Sequence, residues 1–524
     1  MPDNRLPPQD APIGLHDPSG FRLATGATAG GALHPAARHL FAGETIAIPI
    51  TAPAAGYSRA TDPFADLAAW AAAPGALTGP PLVWIAAPER RRAVRIAPDG
   101  RSFEEAGVSR PLALAPRIAA NRSWADASTF AWLARRTVTM RGETGSDGGF
   151  VARTLWPDDW RPDPAAPAVS VAGSRTPKLA LRGLFRSAPR AGAASPPETH
   201  PLWERTPGAR DWAGRPVLAI ILNGAQGDDD EAWGGHFAFA TGRLGADGGL
   251  ADLLASNFYT PDAVSEKGIL PAPVPLDNYL ADLNSGQAWY RPSYLLLAIL
   301  GDERAPALLQ GGLNRLYLQF WRRQLRYRHA TMNCASISVD AARALGWPLP
   351  PRESSSGLLA WLSVPAKVFA EGSLAAARTA YEYLTEDRTR LMPAAAFEEA
   401  AFSLVRLARD GAGSADGPLA AMLARDLVAL VGLRLPQIPS SRRWGTWPAA
   451  NPREYLAALP RDPAALEVVP VPPRPFPAGL EEPDLLPEAP RRSTWPLLAW
   501  TLSGVLPLAW LAGALWRRLR RARG

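Results

Sequence analysis

The chain has 524 residues, 56 Lys and Arg against 49 Asp and Glu, a formal charge of +7 and a hydrophobic share of 47%. That length exceeds one ordinary domain and that apolar share is normal for globular proteins, so roughly two to four folded units are expected and a wholly disordered chain is excluded. Arg517, Arg518, Arg520, Arg521 and Arg523 carry much of the positive excess, no basic face interleaved with aromatics stands elsewhere, and no nucleic-acid partner is expected.

Proline (55) and glycine (45) make nearly a fifth of the chain, above the usual share of about 12%, so long irregular stretches are expected. Residues 1–60 show no charged n-region followed by an apolar core and a small-residue cleavage site, so no ordinary signal peptide is visible and the region reads as irregular. Residues 61–162 read as a mixed α/β accessory domain. It has a short helix from Asp66 and strands at 82–86, 93–96, 137–140 and 150–155. Residues 163–213, rich in Pro, Ala and Ser, suit a linker.

Pro216-Val-Leu-Ala-Ile-Ile-Leu-Asn223 reads as a buried strand that opens a catalytic unit spanning 214–352. The acidic run at 227–231 has no spacing of a calcium loop and reads as a solvated loop. His236 follows Gly234-Gly235 and begins a segment alternating Phe237, Phe239 and Thr241, so it is placed at a strand start. A further strand is expected near residues 252–259, and Asn257 within it is the candidate to orient the histidine. Residues 305–328 read as one long helix. Its basic face, with Arg315, Arg322, Arg323, Arg326 and Arg328, is a solvated surface or, alternatively, a contact for anionic lipid.

Cys334 is the one cysteine, so the chain forms no intramolecular disulfide. Asn333 is a good N-cap, Ala335 to Leu345 has the pattern of a helix, and Gly346 supplies its stop. Cys334 therefore lies in the first turn, where unpaired N–H groups and the helix dipole favour a thiolate and are expected to lower the thiol pKa. A thiolate needs a base. His16, His34, His39 and His200 lie in Pro-rich or Gly-rich regions, and His329 belongs to the connection just before the cysteine, which leaves His236 as the favoured partner and His329 as its rival. A cysteine without such context is more often a small buried hydrophobe.

The succession Gly235-His236, Lys267-Gly268-Ile269, Tyr279-Leu-Ala-Asp-Leu, Tyr294-Leu-Leu-Leu, a helix ending in a tyrosine, and then Asn333-Cys334 resembles the DUF4105 family. That family resembles the circularly permuted papain-like, NlpC/P60-type thiol enzymes and includes the bacterial lipoprotein intramolecular transacylase. The similarity covers about a quarter of the chain. It implies Cys334 as nucleophile and His236 as general base, and it supplies no secure third, histidine-orienting residue.

Beyond residue 353 three amphipathic helices, at about 373–390, 393–409 and 418–433, suggest a helical bundle over 353–435. Residues 436–494 read as a Pro-rich extended spacer. Residues 495–516 carry no charge and would make a helix of about 33 Å, enough for a transmembrane helix, with Trp495, Trp500, Trp510 and Trp516 near its ends and the basic tail 517–524 behind it.

The expected fold is therefore α+β: a permuted papain-like domain with an accessory domain, a helical bundle and one membrane span. The expected function is cysteine-dependent acyl transfer, as transacylase or as ester or amide hydrolase, through an acyl-cysteine. The Cys334 or Ala335 N–H would hold the oxyanion. No cofactor or metal is called for. The span makes the membrane a partner and lipid-linked or cell-envelope substrates the favoured class, with the body favoured on the periplasmic side of a bacterial inner membrane and, since no export signal is visible, a tail-anchored cytoplasmic body as the alternative. The alternatives are a non-catalytic envelope binding or assembly protein and a peptidoglycan stem peptidase.

Overall fold

The structure is a computed structural model that describes residues 14–16, 36–41, 44–49, 62–72, 83–85, 89–115, 125–186, 196–225, 234–259, 270–321, 325, 327–354, 357–440, 447–458 and 462. Near the N-terminus β1 (Gly14–His16), β2 (Ala36–Phe41), β3 (Glu44–Pro49) and β4 (Val83–Ile85) form a four-stranded antiparallel sheet, with α1 (Pro63–Ala72) between β3 and β4.

The accessory unit is a closed barrel. It comprises β5 (Glu89–Ile96), β6 (Ser102–Glu105), β7 (Val108–Leu114), β8 (Val138–Thr144) and β9 (Phe150–Pro157), joined in the order β5-β6-β7-β9-β8. Closure removes the edges that a five-stranded open sheet would expose. Helix α2 (Ala127–Leu133) precedes β8, and its N-cap Asp126 accepts from the Ser128 and Thr129 N–H groups.

After α3 (Pro177–Arg186) the chain builds a seven-stranded sheet from β10 (Glu198–Glu204), β11 (Pro216–Asn223), β12 (His236–Arg243), β13 (Leu254–Tyr259) and β14 (Leu270–Pro275). It continues through α4 (Leu276–Ala281), β15 (Ser293–Leu300), α5 (Arg304–Trp321), α6 (Cys334–Ala344), α7 (Gly357–Glu371), α8 (Leu374–Thr385), α9 (Arg388–Leu391), α10 (Pro393–Asp410), α11 (Pro418–Asp426), β16 (Leu427–Leu435) and α12 (Pro452–Ala458). The strand order is β10-β16-β15-β11-β12-β13-β14, with every neighbouring pair antiparallel.

Both faces of this sheet are covered, which is why its central strands β11 and β15 run apolar from Val217 to Leu222 and from Tyr294 to Leu300 instead of alternating. On β11, Leu218, Ile220 and Leu222 face a helical layer that includes residues of α5, α6, α10 and α11, while Val217, Ala219 and Ile221 face the barrel side. β15 divides in the same way, with Leu296, Ala298 and Leu300 toward the helices and Leu295, Leu297 and Ile299 toward the barrel. Each such Leu or Ile contributes about 1.5–3 kcal/mol by leaving water. Two buried ion pairs tie barrel to sheet: Arg141 Nε donates to Asp277 Oδ2 at 2.7 Å, and Arg153 Nε to Asp282 Oδ2 at 2.9 Å.

Several expectations are corrected here. The fold is mixed α/β with a five-stranded barrel, and among the described residues no helix is long and apolar enough to cross a membrane. The 18-residue helices α5 and α10 carry arginines or glutamates and pack against the sheet. The expected transmembrane helix finds no support among these residues, and residues 495–516, where it was expected, lie outside the described residues, as does the acidic run 227–231. The linker and the helical bundle are not separate from the catalytic unit either. β10 comes from the first and β16 from the second, and β16 lies inside the sheet between β10 and β15. The third expected helix stops at Asp426, where Leu427-Val-Ala-Leu-Val-Gly-Leu-Arg-Leu435 turns to strand. α5 ends at Trp321, and Arg328 instead bridges Met332.

Candidate active site

The sheet is split at one corner. β11 and β12 pair along eight residues, from Pro216 opposite Arg243 to Asn223 opposite His236, whereas β12 and β13 pair only at Ala240–Ala255 and Thr241–Leu254. β13 instead continues along β14 through Ser256, Asn257 and Phe258. A gap therefore separates the start of β12 from the end of β13, and the three residues singled out in the sequence stand around it.

His236 is set by Gly235, whose φ is +72° and where a Cβ would lie 2.5 Å from the Asn223 carbonyl oxygen and 2.8 Å from the Pro448 Cβ. Only glycine fits there. Across the ladder from His236, Asn223 is fully buried, donates from Nδ2 to Ser293 Oγ at 2.8 Å and accepts from the Tyr279 hydroxyl. The imidazole lies 6.1 Å from the Tyr279 ring and 6.4 Å from the Phe258 ring, and it hydrogen-bonds the side chain of Asn257. Dense surroundings and the positive charge of Arg291 pull its pKa down to about 3, against the partial support of Asn257. His236 retains some solvent exposure at its edge, but the ring environment is closed enough that desolvation governs, so at neutral pH the ring is an uncharged base.

Cys334 opens α6 from the helical side. Asn333 caps the helix: its Oδ1 accepts from Ala335 N–H at 2.9 Å and Ser336 N–H at 3.0 Å, and Ser336 Oγ accepts from the Asn333 N–H at 2.8 Å, a complete capping box. Its Nδ2 donates to the carbonyls of His329 and Leu391 at 2.8 and 3.1 Å, so the whole side chain is engaged in placing the turn. The sulfur rests against the Phe237 N–H, which pairs with no residue of β13, and it also meets the Tyr327 hydroxyl. The cysteine thus touches the residue next to His236, through the gap.

The expected acidic thiol is corrected. Cys334 is 4% exposed, and burial raises its pKa more than the Phe237 N–H, the Tyr327 hydroxyl, the Ala335 N–H and Arg291 lower it. The site rests as neutral thiol and neutral imidazole, not as a thiolate–imidazolium pair. One oxyanion donor is also corrected, because the Ala335 N–H is held by Asn333. The Cys334 N–H, at the first helical position, has no partner within its helix and is the donor left for that role.

Orphaned polar atoms gather at this point. His236 Nε2, Ser256 Oγ and Tyr317 Oη are buried without a well-formed hydrogen bond among the described residues, although the fully buried Tyr317 phenol faces both Ser256 and Cys334. Of these, His236 Nε2 is the one that bears on the chemistry, since an unpartnered ring nitrogen is free to take a proton. The rival base His329 packs its ring 5.1 Å from the Tyr327 ring, and it is Tyr327 whose hydroxyl meets the sulfur.

Tyr317, Tyr327, Ser256 and Arg291 were not among the candidates. Tyr317 follows Leu316 in α5 and reads as core, Arg291 sits in an undistinguished Tyr-Arg-Pro loop, and only Tyr327, which ends the expected helix, carried any signal. Among the described residues no group of His, Cys, Asp and Glu is arranged to hold a metal ion. No protein-family model, curated protein or solved structure matches this chain. The likeness of Gly235-His236 and Asn333-Cys334 to the DUF4105 family therefore stands on those residues alone.

Proposed function

We propose that the protein is a cysteine-dependent acyl-transfer enzyme. The observation that carries this reading is the contact of the Cys334 sulfur with the Phe237 N–H, one residue along from an imidazole that hydrogen-bonds Asn257 and keeps a buried, unpartnered Nε2, at a split in the sheet. Because both groups rest neutral, proton transfer accompanies attack: His236 accepts the thiol proton as sulfur bonds to an ester or amide carbonyl carbon. The carbonyl oxygen takes the negative charge, with the Cys334 N–H as donor. Collapse of the adduct expels the leaving group, which takes the proton back from the imidazolium and leaves an acyl-cysteine. Water, an amine or a hydroxyl then accepts the acyl group, and His236 again carries the proton. Asn257 holds the ring in the orientation this requires.

On the resemblance alone, lipid-linked and cell-envelope esters and amides, and with them an envelope location, belong to the same proposal as the first substrates to try. The competing reading, a non-catalytic binding or assembly protein, is favoured by the 4% exposure of Cys334.

A small electrophile such as iodoacetamide separates the two. The enzyme reading expects Cys334 labelling in the folded protein to slow by about 10²-fold or more in His236→Ala. Equal, sluggish labelling of both proteins would leave the binding protein as the better description.

A further inference from the structure

A cavity of about 310 Å³ opens beside the split, lined by Arg186, Ala225, Trp447, Pro448, Ala449 and Glu454 among others. That volume lies in the range of small-molecule sites. Its wall reaches both halves of the candidate active site. Pro448 is the residue against which Gly235 packs, and Ala449 packs with Leu391, whose carbonyl accepts from the Asn333 side chain just before Cys334.

The wall itself carries one cation and one carboxylate, Arg186 and Glu454, and the surplus of positive charge lies behind it. Glu398 and Glu399, both nearly buried on α10, are contacted by Arg182, Arg186, Arg352 and Lys178. Glu398 is already held by Arg182 at 2.7 Å and by Arg352 at 2.8 Å, so its 3.4 Å contact with Arg186 is the weakest of the set. The Arg186 guanidinium lies 5.7 Å from the Trp447 ring centroid, at the cavity. Glu454, the cavity's own carboxylate, accepts from the Ala450 N–H at 2.9 Å.

We propose that this cavity recognises a carboxylate-bearing apolar group of the acyl substrate, with the carboxylate on Arg186 and the apolar part on Trp447. The inference rests on the acyl-transfer reading for its role but not for the binding itself. A guanidinium fork matches a carboxylate in two parallel hydrogen bonds. With Glu398 and Glu454 close by, a singly charged carboxylate is favoured over a doubly charged phosphate.

The test uses the full-length chain carrying Cys334→Ser, so that no turnover intervenes, titrated by calorimetry with N-acetylphenylalanine, its primary amide and inorganic phosphate. The acid is expected to bind at least tenfold more tightly than the amide and than phosphate. Arg186→Gln, checked for folding by circular dichroism, should weaken the acid about tenfold and leave the amide unchanged. Equal binding of acid and amide, phosphate binding as tightly as the acid, or an acid affinity indifferent to Arg186→Gln would each overturn the proposal. Should Arg186→Gln fail to fold, the acid-to-amide ratio in the Cys334→Ser chain decides alone. Binding needs no thiol, so His236-independent labelling of Cys334 would sink the catalytic reading and leave this result standing, and the reverse failure would leave the labelling result standing.

Discussion

The imidazole of His236 has a measurable signature in stability. Its pKa falls to about 3 in the folded protein from an ordinary value near 6.5. Between those values the unfolded chain binds a proton that the folded one refuses, so acidification through about pH 6.5 favours unfolding. One such group gives a slope approaching about 1.4 kcal/mol per pH unit. Between about pH 7 and about pH 5.5 the unsubstituted protein should lose about 1 kcal/mol more stability than His236→Gln, as read by urea unfolding of both. Parallel losses would show that the ring is not held neutral. The positions of Cys334, His236 and Asn257 on their elements were legible in the sequence because each rests on a local rule: a cap before a helix, a glycine pair before a strand, a polar residue in a strand close by. The thiol's acidity was not legible, because a helix terminus lowers the pKa locally while burial raises it through residues as distant in sequence as Phe237 and Tyr327.

Among elements, the turn into β12 is the most constrained piece of backbone at the site. Gly235→Ala adds a methyl group against the Asn223 carbonyl and Pro448 at a positive φ. It should cost about 2 kcal/mol or more and displace His236, seen as lower urea resistance together with slower thiol labelling. A variant with unchanged stability and labelling would mean that the turn is not tied to the site. α6 was readable because cap, periodicity and stop agree, with Gly346 at φ +81° ending the helix against Pro418. β16 was not. Its apolar run follows α11 with no breaker between Asp426 and Leu427, and a short run of that kind fits a buried helix as well as a strand buried on both faces. Burial chose the strand: eight of its nine residues are buried in the sheet.

At the scale of the molecule the barrel and the sheet share one hydrophobic core, which Arg141 and Asp277 cross as a pair 3% and 0% exposed. Asp277→Asn leaves the buried Arg141 guanidinium only its 3.7 Å contact with Asp252 as counter-charge and should destabilise by about 3 kcal/mol. The double change Arg141→Met with Asp277→Leu should recover most of that loss in urea unfolding. A single substitution costing less than about 1 kcal/mol would show that the barrel is only loosely attached. The barrel strands were partly visible as alternating segments, but closure and docking were not, since both depend on side chains brought together from distant parts of the chain.

The insertion of β16 between β10 and β15 has a consequence for biosynthesis. Both flanking strands are made long before their shared neighbour, so a ribosome translating the helices after β15 carries two unbonded edges. Bare apolar edges recruit other chains. The newborn polypeptide is therefore most exposed to misassociation while residues 301–426 are being added, and the arrival of Leu435 closes that window.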